Sequence, residues 1–192
     1  MRVPRRSGCG LAGMIAAAML ALVLGAQDAT AQRAAKPDGP ARTATWEELV
    51  PPDWDPFARF RGRDLAAIRE GSAAEQELMQ VMREAWDNAP VRSDLDGARI
   101  RLPGYVVPLD AVDGGRLRQF LLVPYFGACI HSPPPPANQI VHVTLESPAN
   151  WRSMDAVWVS GTLATTRQDS TMGVSGYAIA ADSVQAYQAE RR

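Results

Sequence analysis

The chain has 192 residues, of which 46% are hydrophobic and 21% are charged, and its formal net charge is -1. This length fits one domain of ordinary size with some extra chain, or at most two small domains, and the composition excludes a disordered protein and a disulfide-dense scaffold. A net charge near zero argues against a nucleic-acid-binding protein, because such proteins depend on an excess of basic residues.

The first 31 residues have the pattern of a secretory signal peptide. Arg2, Arg5 and Arg6 form a basic start, Leu11 to Leu24 is an apolar run without a charge, and Ala29-Thr30-Ala31 is a small-x-small cleavage signal. The apolar run is shorter than the ~20 residues that a membrane-spanning helix needs. We therefore predict cleavage after residue 31, a periplasmic location, and no transmembrane helix in the mature chain.

The predicted mature chain keeps 17 basic and 20 acidic residues and a single cysteine, Cys129. One cysteine cannot form an internal disulfide, so the fold must depend on its apolar core. A lone thiol in an oxidising compartment is a liability unless it is buried, bound to a metal or used in chemistry.

The mature chain begins with polar and aromatic segments. Residues 32–45 are small and polar and predict a flexible leader. The stretch that follows contains Trp46, Trp54, Phe57 and Phe60 among three prolines. We expect these aromatic side chains to dock on the domain, and the alternative is an exposed strip that binds a partner.

The clearest helix is predicted over Ser72 to Asn88. Ser72 and Glu75 form a capping box, and Pro90 stops the helix. Apolar residues recur three and four positions apart at Leu78, Val81, Met82, Ala85 and Trp86. We expect this stripe to pack into the core rather than to form a ligand surface.

Beyond Pro90 the hydrophobic period changes from helical to alternating, which predicts β-strands. The five candidate strands are Arg99–Val107, Phe120–Val123, Ile140–Leu145, Val157–Leu163 and Gly176–Ile179. So many short strands in so short a stretch favour a mainly β fold with one N-terminal helix, arranged as a small barrel or sandwich.

One segment carries residues suited to chemistry. Cys129 and His131 are two positions apart and share one side if the backbone is extended, and Pro133, Pro134, Pro135 and Pro136 follow and stiffen the chain. Thiolate and imidazole together suit Zn²⁺, with Cu⁺ as the second candidate. The pair is therefore a candidate metal site.

The pair alone is incomplete, because zinc needs three or four ligands. His142 is the candidate third ligand, with an exposed strand histidine as the alternative, and nothing in the spacing selects Asp110 or Asp113. Three other roles stay open for the segment. Cys129 could be a buried core residue or a nucleophile activated by the imidazole, and the proline run could be a polyproline ligand for a partner.

The sequence also resembles a known family. Gly104-Tyr105-Val106-Val107-Pro108-Leu109, the run from Phe120 to His131, and the prolines with Asn138-Gln139 resemble the DUF3299 family of exported bacterial proteins, over roughly Trp46 to Tyr187. The resemblance implies a Gram-negative exported protein with an OB-like five-stranded barrel, which would make residues 46–188 a single OB-like domain. Members often lie beside genes for ABC-type export machinery, in some cases under zinc control.

The resemblance carries Cys129, His131, Asn138 and Gln139 over as motif residues, and His142 is not among them. The first functional hypothesis is a periplasmic accessory protein that handles zinc in association with a transport system. In it Cys129 and His131 bind the metal, and Asn138 and Gln139 fix the loop around it. The alternative is a non-catalytic OB-like module that contacts a membrane transport complex, with Cys129 as a core residue. No catalytic residue and no nucleic-acid partner are expected.

Overall fold

β-Strands dominate the chain from residue 39 onward. A computed structural model describes residues 39–111, 113–129 and 134–188. The predicted signal peptide and the first part of the leader lie outside these residues, as do His131 and Pro133. Besides six short 3-10 helices, the described elements are one α-helix, α1 (Ala73–Asp87), and six strands: β1 (Arg42–Thr43), β2 (Arg99–Pro108), β3 (Leu117–Val123), β4 (Val141–Ala149), β5 (Ala156–Ser170) and β6 (Gly173–Ala186).

The five predicted strands overlap β2 to β6, of which β5 and β6 are much longer than predicted. The six strands form one sheet in the order β1-β2-β3-β4-β6-β5. Neighbouring strands are antiparallel except for the parallel pairs β1–β2 and β4–β6. β2 also pairs with β5, through Arg99–Tyr105, while its other end pairs with β3 through Tyr105–Pro108. The sequence did not predict β1, whose two residues fall in the segment assigned to the leader.

The inner core lies on one face of the strands. In β2 the buried positions alternate at Ile100, Leu102, Gly104 and Val106, as expected when successive side chains point to opposite faces. Facing strands add further buried apolar side chains at Phe120, Leu122, Val141, Val143, Val157, Val159, Leu163, Tyr177 and Ile179. The alternation that predicted the strands from sequence is therefore the arrangement that fills the core.

Helix α1 begins where the capping box predicts. The hydroxyl oxygen of Ser72 accepts a hydrogen bond from the Glu75 N–H at 3.2 Å, and the Glu75 carboxylate accepts one from the Gly71 N–H at 2.6 Å. The prediction that the apolar stripe packs into the core is wrong, because no residue of α1 is buried. The strands fill the core with their own side chains, so Met82 and Trp86 instead line a groove against the β5–β6 turn.

Of the four aromatic side chains that were predicted to dock on the domain, two are buried. Trp46 is 9% exposed and Phe60 is 5% exposed, whereas Phe57 remains 56% exposed. The Trp46 indole Nε1 donates a hydrogen bond to the Pro103 carbonyl oxygen at 2.7 Å, which ties the segment to β2. None of the helices in the described residues is long and apolar enough to span a membrane.

Candidate functional site

A second apolar cluster lies where the described residues of the motif segment (124–140, between β3 and β4) pack on the sheet. This outer cluster consists of the fully buried side chains of Val107, Leu121, Val123, Ala128 and Ile140. Since Phe120 and Leu122 point into the inner core, β3 is buried on both faces. Cys129, the described member of the predicted metal-binding pair, therefore lies next to an apolar sheet face.

Cys129 packs against this outer cluster and is half-buried. Burial raises the pKa of its thiol to about 11, so the sulfur is protonated and uncharged near neutral pH. The backbone at Cys129 is left-handed, with φ of 64°. The sequence argument for a shared Cys129–His131 face assumed extended backbone, and that assumption is wrong at Cys129, because alternation does not hold through a left-handed residue.

His142 lies in β4 opposite Leu121 of β3, which places its side chain on the outer-cluster face. It is only 8% exposed, so the alternative of an exposed strand histidine is wrong. Its Nδ1 is buried without a hydrogen-bond partner among the described residues. Burial lowers the pKa of His142, and the nearby Asp110 carboxylate opposes that effect.

Asn138 and Gln139 attach the motif segment to the N-terminal part of the chain. The Asn138 Nδ2 donates a hydrogen bond to the Pro90 carbonyl oxygen at 3.0 Å, and the Gln139 Nε2 donates one to the Trp46 carbonyl oxygen at 2.8 Å. Asn138 is fully buried. Both side chains thus hold a loop in place, and their described partners are backbone carbonyls.

The described metal-ligand candidates do not assemble into a site. Among residues 39–111, 113–129 and 134–188, no group of three or more histidine, cysteine or acidic side chains is placed to hold an ion. The Cys129 sulfur would first have to lose a proton that burial stabilises. His131 lies outside the described residues, so its part in the predicted pair stays a prediction.

The structure brings together an aromatic surface that sequence reasoning did not identify. The aromatic surface consists of Tyr105, Tyr125, Phe126, Trp158 and Tyr187, which come from four separate parts of the chain. Tyr105 meets Phe126 edge to face at 5.8 Å, and Trp158 stacks on Tyr187 at 5.4 Å between ring centroids. Phe126 is 67% exposed and Tyr125 is 48% exposed, which is unusual for large apolar side chains.

A pocket of about 240 Å³ opens within this surface. We call it the aromatic pocket, and its walls include Trp46, Pro103, Tyr105, Pro124, Ala156 and Tyr187. Beside it the Arg101 guanidinium lies 4.2 Å from the centre of the Trp158 ring, in a cation–π contact. The sequence contained one signal for this surface: Arg101, Pro103 and Tyr105 alternate with the buried residues of β2 and so share its outer face. Alternation along one strand does not show which residues of other strands these side chains contact.

Comparison with known proteins identifies one family. The model of the DUF3299 family, described as a protein of unknown function, matches residues 46–186. The chain is also similar to a crystal structure of a DUF3299 family protein from Pseudomonas aeruginosa PAO1, with 35% identity, a TM-score of 0.62, and coverage of 80% of this chain and 100% of that one. No curated protein matches. The chain belongs to the DUF3299 family.

Proposed function

We propose that this DUF3299 chain is a non-catalytic interaction module, exported to the periplasm, that binds a partner through the aromatic surface. One observation carries the proposal: Phe126 and Tyr125 stand exposed on the family motif segment, and Phe126 is held against Tyr105. Exposed aromatic side chains grouped in one place are typical of protein-binding surfaces. The proposed partner is a periplasmic or membrane transport protein, as the resemblance implied.

The proposal includes an OB-like five-stranded barrel formed by β2 to β6. Its support is the pairing, which leads from β2 through β3, β4, β6 and β5 and returns to β2. OB folds are five-stranded Greek-key barrels that bind ligands on one outer face and its adjacent loops. Here Ala128, Cys129 and Ile140 pack against the outer side of β3, so we place partner binding on the neighbouring aromatic surface.

The chemistry of Cys129 favours a module over an enzyme. A thiol nucleophile needs a lowered pKa, usually from a neighbouring positive charge. Burial in apolar surroundings raises the pKa of Cys129 instead, and its side chain contacts the outer cluster. We therefore assign Cys129 to packing, which is the role that the alternative hypothesis gave it.

Zinc handling remains the second candidate function, because of the buried His142 Nδ1 that has no partner in the described residues. An unpartnered imidazole nitrogen can bind a metal ion, and His142 would then be the third ligand beside Cys129 and His131. Elemental analysis of the mature protein, purified without a metal-affinity tag, separates the two proposals. Zinc or copper near one equivalent that is lost in both Cys129→Ser and His131→Ala would favour the metal role.

The module is tested by photo-crosslinking in a bacterium that exports the chain. Phe126 is replaced by the photo-reactive analogue p-benzoylphenylalanine, and the matched control carries it at Phe57, which is similarly exposed but lies outside the aromatic surface. We expect a discrete adduct from position 126, absent from position 57 and retained when Cys129 is also changed to alanine. Equal adducts at both positions, or an adduct that requires Cys129, would contradict the module.

A further inference from the structure

The aromatic pocket has walls that are apolar and flat. Apart from Pro103, Pro124 and small residues, its lining side chains are the rings of Trp46, Tyr105 and Tyr187. The Trp46 indole N–H is already bonded to the Pro103 carbonyl oxygen at 2.7 Å. Among the lining side chains, that leaves the two tyrosine hydroxyls to meet a ligand's polar groups.

Arg101 places a positive charge beside this pocket. Arg101 and Pro103 lie on the same face of β2, about 7 Å apart along the strand. The Arg101 guanidinium stacks over Trp158, and Trp158 stacks in turn on Tyr187 of the pocket wall. No residue of the described chain makes a hydrogen bond or ion pair with this guanidinium. Stacking leaves its N–H edge open to receive a carboxylate in two parallel hydrogen bonds.

These features select among ligands. A sugar needs several hydrogen-bonding side chains for its hydroxyl groups, and the lining offers few. A single-stranded nucleic acid needs a groove of basic residues along its backbone, whereas the described lining of this pocket carries no basic side chain. A polyproline II segment has flat pyrrolidine rings that fit between aromatic side chains, and its stiffness lowers the entropy cost of binding.

We infer that the aromatic pocket binds a proline-rich segment of a partner protein, with an acidic side chain of that segment received by Arg101. The inference rests on the proposed function and names the ligand class of the same surface. Tyr105 and Tyr187 hold the proline rings from two sides, and the charge contact at Arg101 sets the direction of the peptide. The exposed ring of Phe126 extends the wall beyond Tyr105.

The test uses the mature protein and a labelled peptide of prolines with one central aspartate, acetylated and amidated so that it has no terminal charge. The control peptide has asparagine in place of the aspartate, and binding is followed by fluorescence anisotropy. We expect the aspartate peptide to bind about tenfold more tightly, because a charge-assisted hydrogen bond is lost with asparagine. Arg101→Gln should abolish this preference, so that the variant binds both peptides with the same affinity.

The second part of the experiment changes a residue that lines the aromatic pocket. Tyr187→Ala should weaken the binding of both peptides, Tyr187→Phe should keep most of it, and Phe57→Ala should change neither. Thermal unfolding of each variant shows whether a loss of binding comes from a loss of structure. Equal affinity of the wild type for both peptides, or undiminished binding by a folded Tyr187→Ala variant, would overturn the inference.

The two proposals fail in different ways. If the wild type binds neither peptide while crosslinking at position 126 still captures a discrete partner, the ligand class is wrong and the interaction module stands. If crosslinking at position 126 does not differ from position 57, the module itself is wrong.

Discussion

Tyr177→Phe tests how the N-terminal segment is attached to the sheet. The Tyr177 side chain is fully buried, and its hydroxyl donates a hydrogen bond to the Leu49 carbonyl oxygen at 2.7 Å and accepts one from the Arg92 N–H at 2.6 Å. These two backbone groups belong to parts of the chain far from β6 in sequence. One hydroxyl group thus connects three segments.

Phenylalanine keeps the ring and leaves no large cavity, so the change removes the hydrogen bonds almost alone. A buried polar group left without its partner costs about 1–3 kcal/mol, and Arg92 is only half-buried, so its N–H contributes at the low end. We expect a loss of about 3 kcal/mol in the free energy of unfolding. For a chain of this size the melting temperature should fall by roughly 6–12 °C.

Thermal and urea unfolding followed by circular dichroism measure this loss. The matched control is Tyr187→Phe, which removes a hydroxyl from a tyrosine that is 45% exposed and should change the melting temperature little. A Tyr177→Phe melting temperature within about 1 °C of the wild type would refute the reasoning. It would mean that water satisfies the Leu49 and Arg92 backbone groups.

Three further predictions concern buried or crowded positions. Burial raises the pKa of the Cys129 thiol from 9.0 to about 11, so its contribution to stability is complete below pH 9 and is lost as the pH rises towards 11. Urea unfolding across that range should show a shallower decline in Cys129→Ala, and parallel curves would contradict this. Burial lowers the pKa of His142, so its contribution is present above pH 6.5 and is lost as the pH falls. In urea unfolding, His142→Gln should therefore gain stability relative to the wild type at acid pH, and a constant difference would refute the assignment. A methyl group at Gly161 would collide with the Ala180 carbonyl oxygen, so Gly161→Ala should lose about 1–3 kcal/mol, whereas Ser160→Ala should unfold at nearly the wild-type urea concentration.

The helix and the strands could be predicted from sequence because their signals are local. The Ser72 capping box and the alternation in β2 act over a few residues, and the structure has both. The surroundings of α1 could not be predicted in the same way. An apolar stripe on a helix has the same sequence pattern whether it packs into a core or lines an open groove. In this protein the strands fill the core with their own side chains, so the stripe of α1 lines a groove.

In the motif segment, the sequence predicted which residues are unusual but not their backbone conformation or their surroundings. Its unusual residues were visible in the sequence, but extended backbone at Cys129 was an assumption, and the residue is left-handed. His142 is buried on the outer-cluster face, opposite Leu121 of β3, and spacing along the chain does not reveal that position. Asn138 was expected to fix the loop around a metal, and the sequence did not predict that its Nδ2 donates a hydrogen bond to the Pro90 carbonyl oxygen.

The sequence by itself determined the family, the mainly β character, the single helix and the segment with unusual chemistry, because composition, periodicity and motifs are properties of neighbouring residues. Only the tertiary structure decided that β2 pairs with both β3 and β5. That pairing brings Tyr105 to Phe126 and places Arg101 over Trp158, although these residues lie far apart in the chain. Contacts of this kind depend on strand order and register, which are set by the packing of the whole sheet.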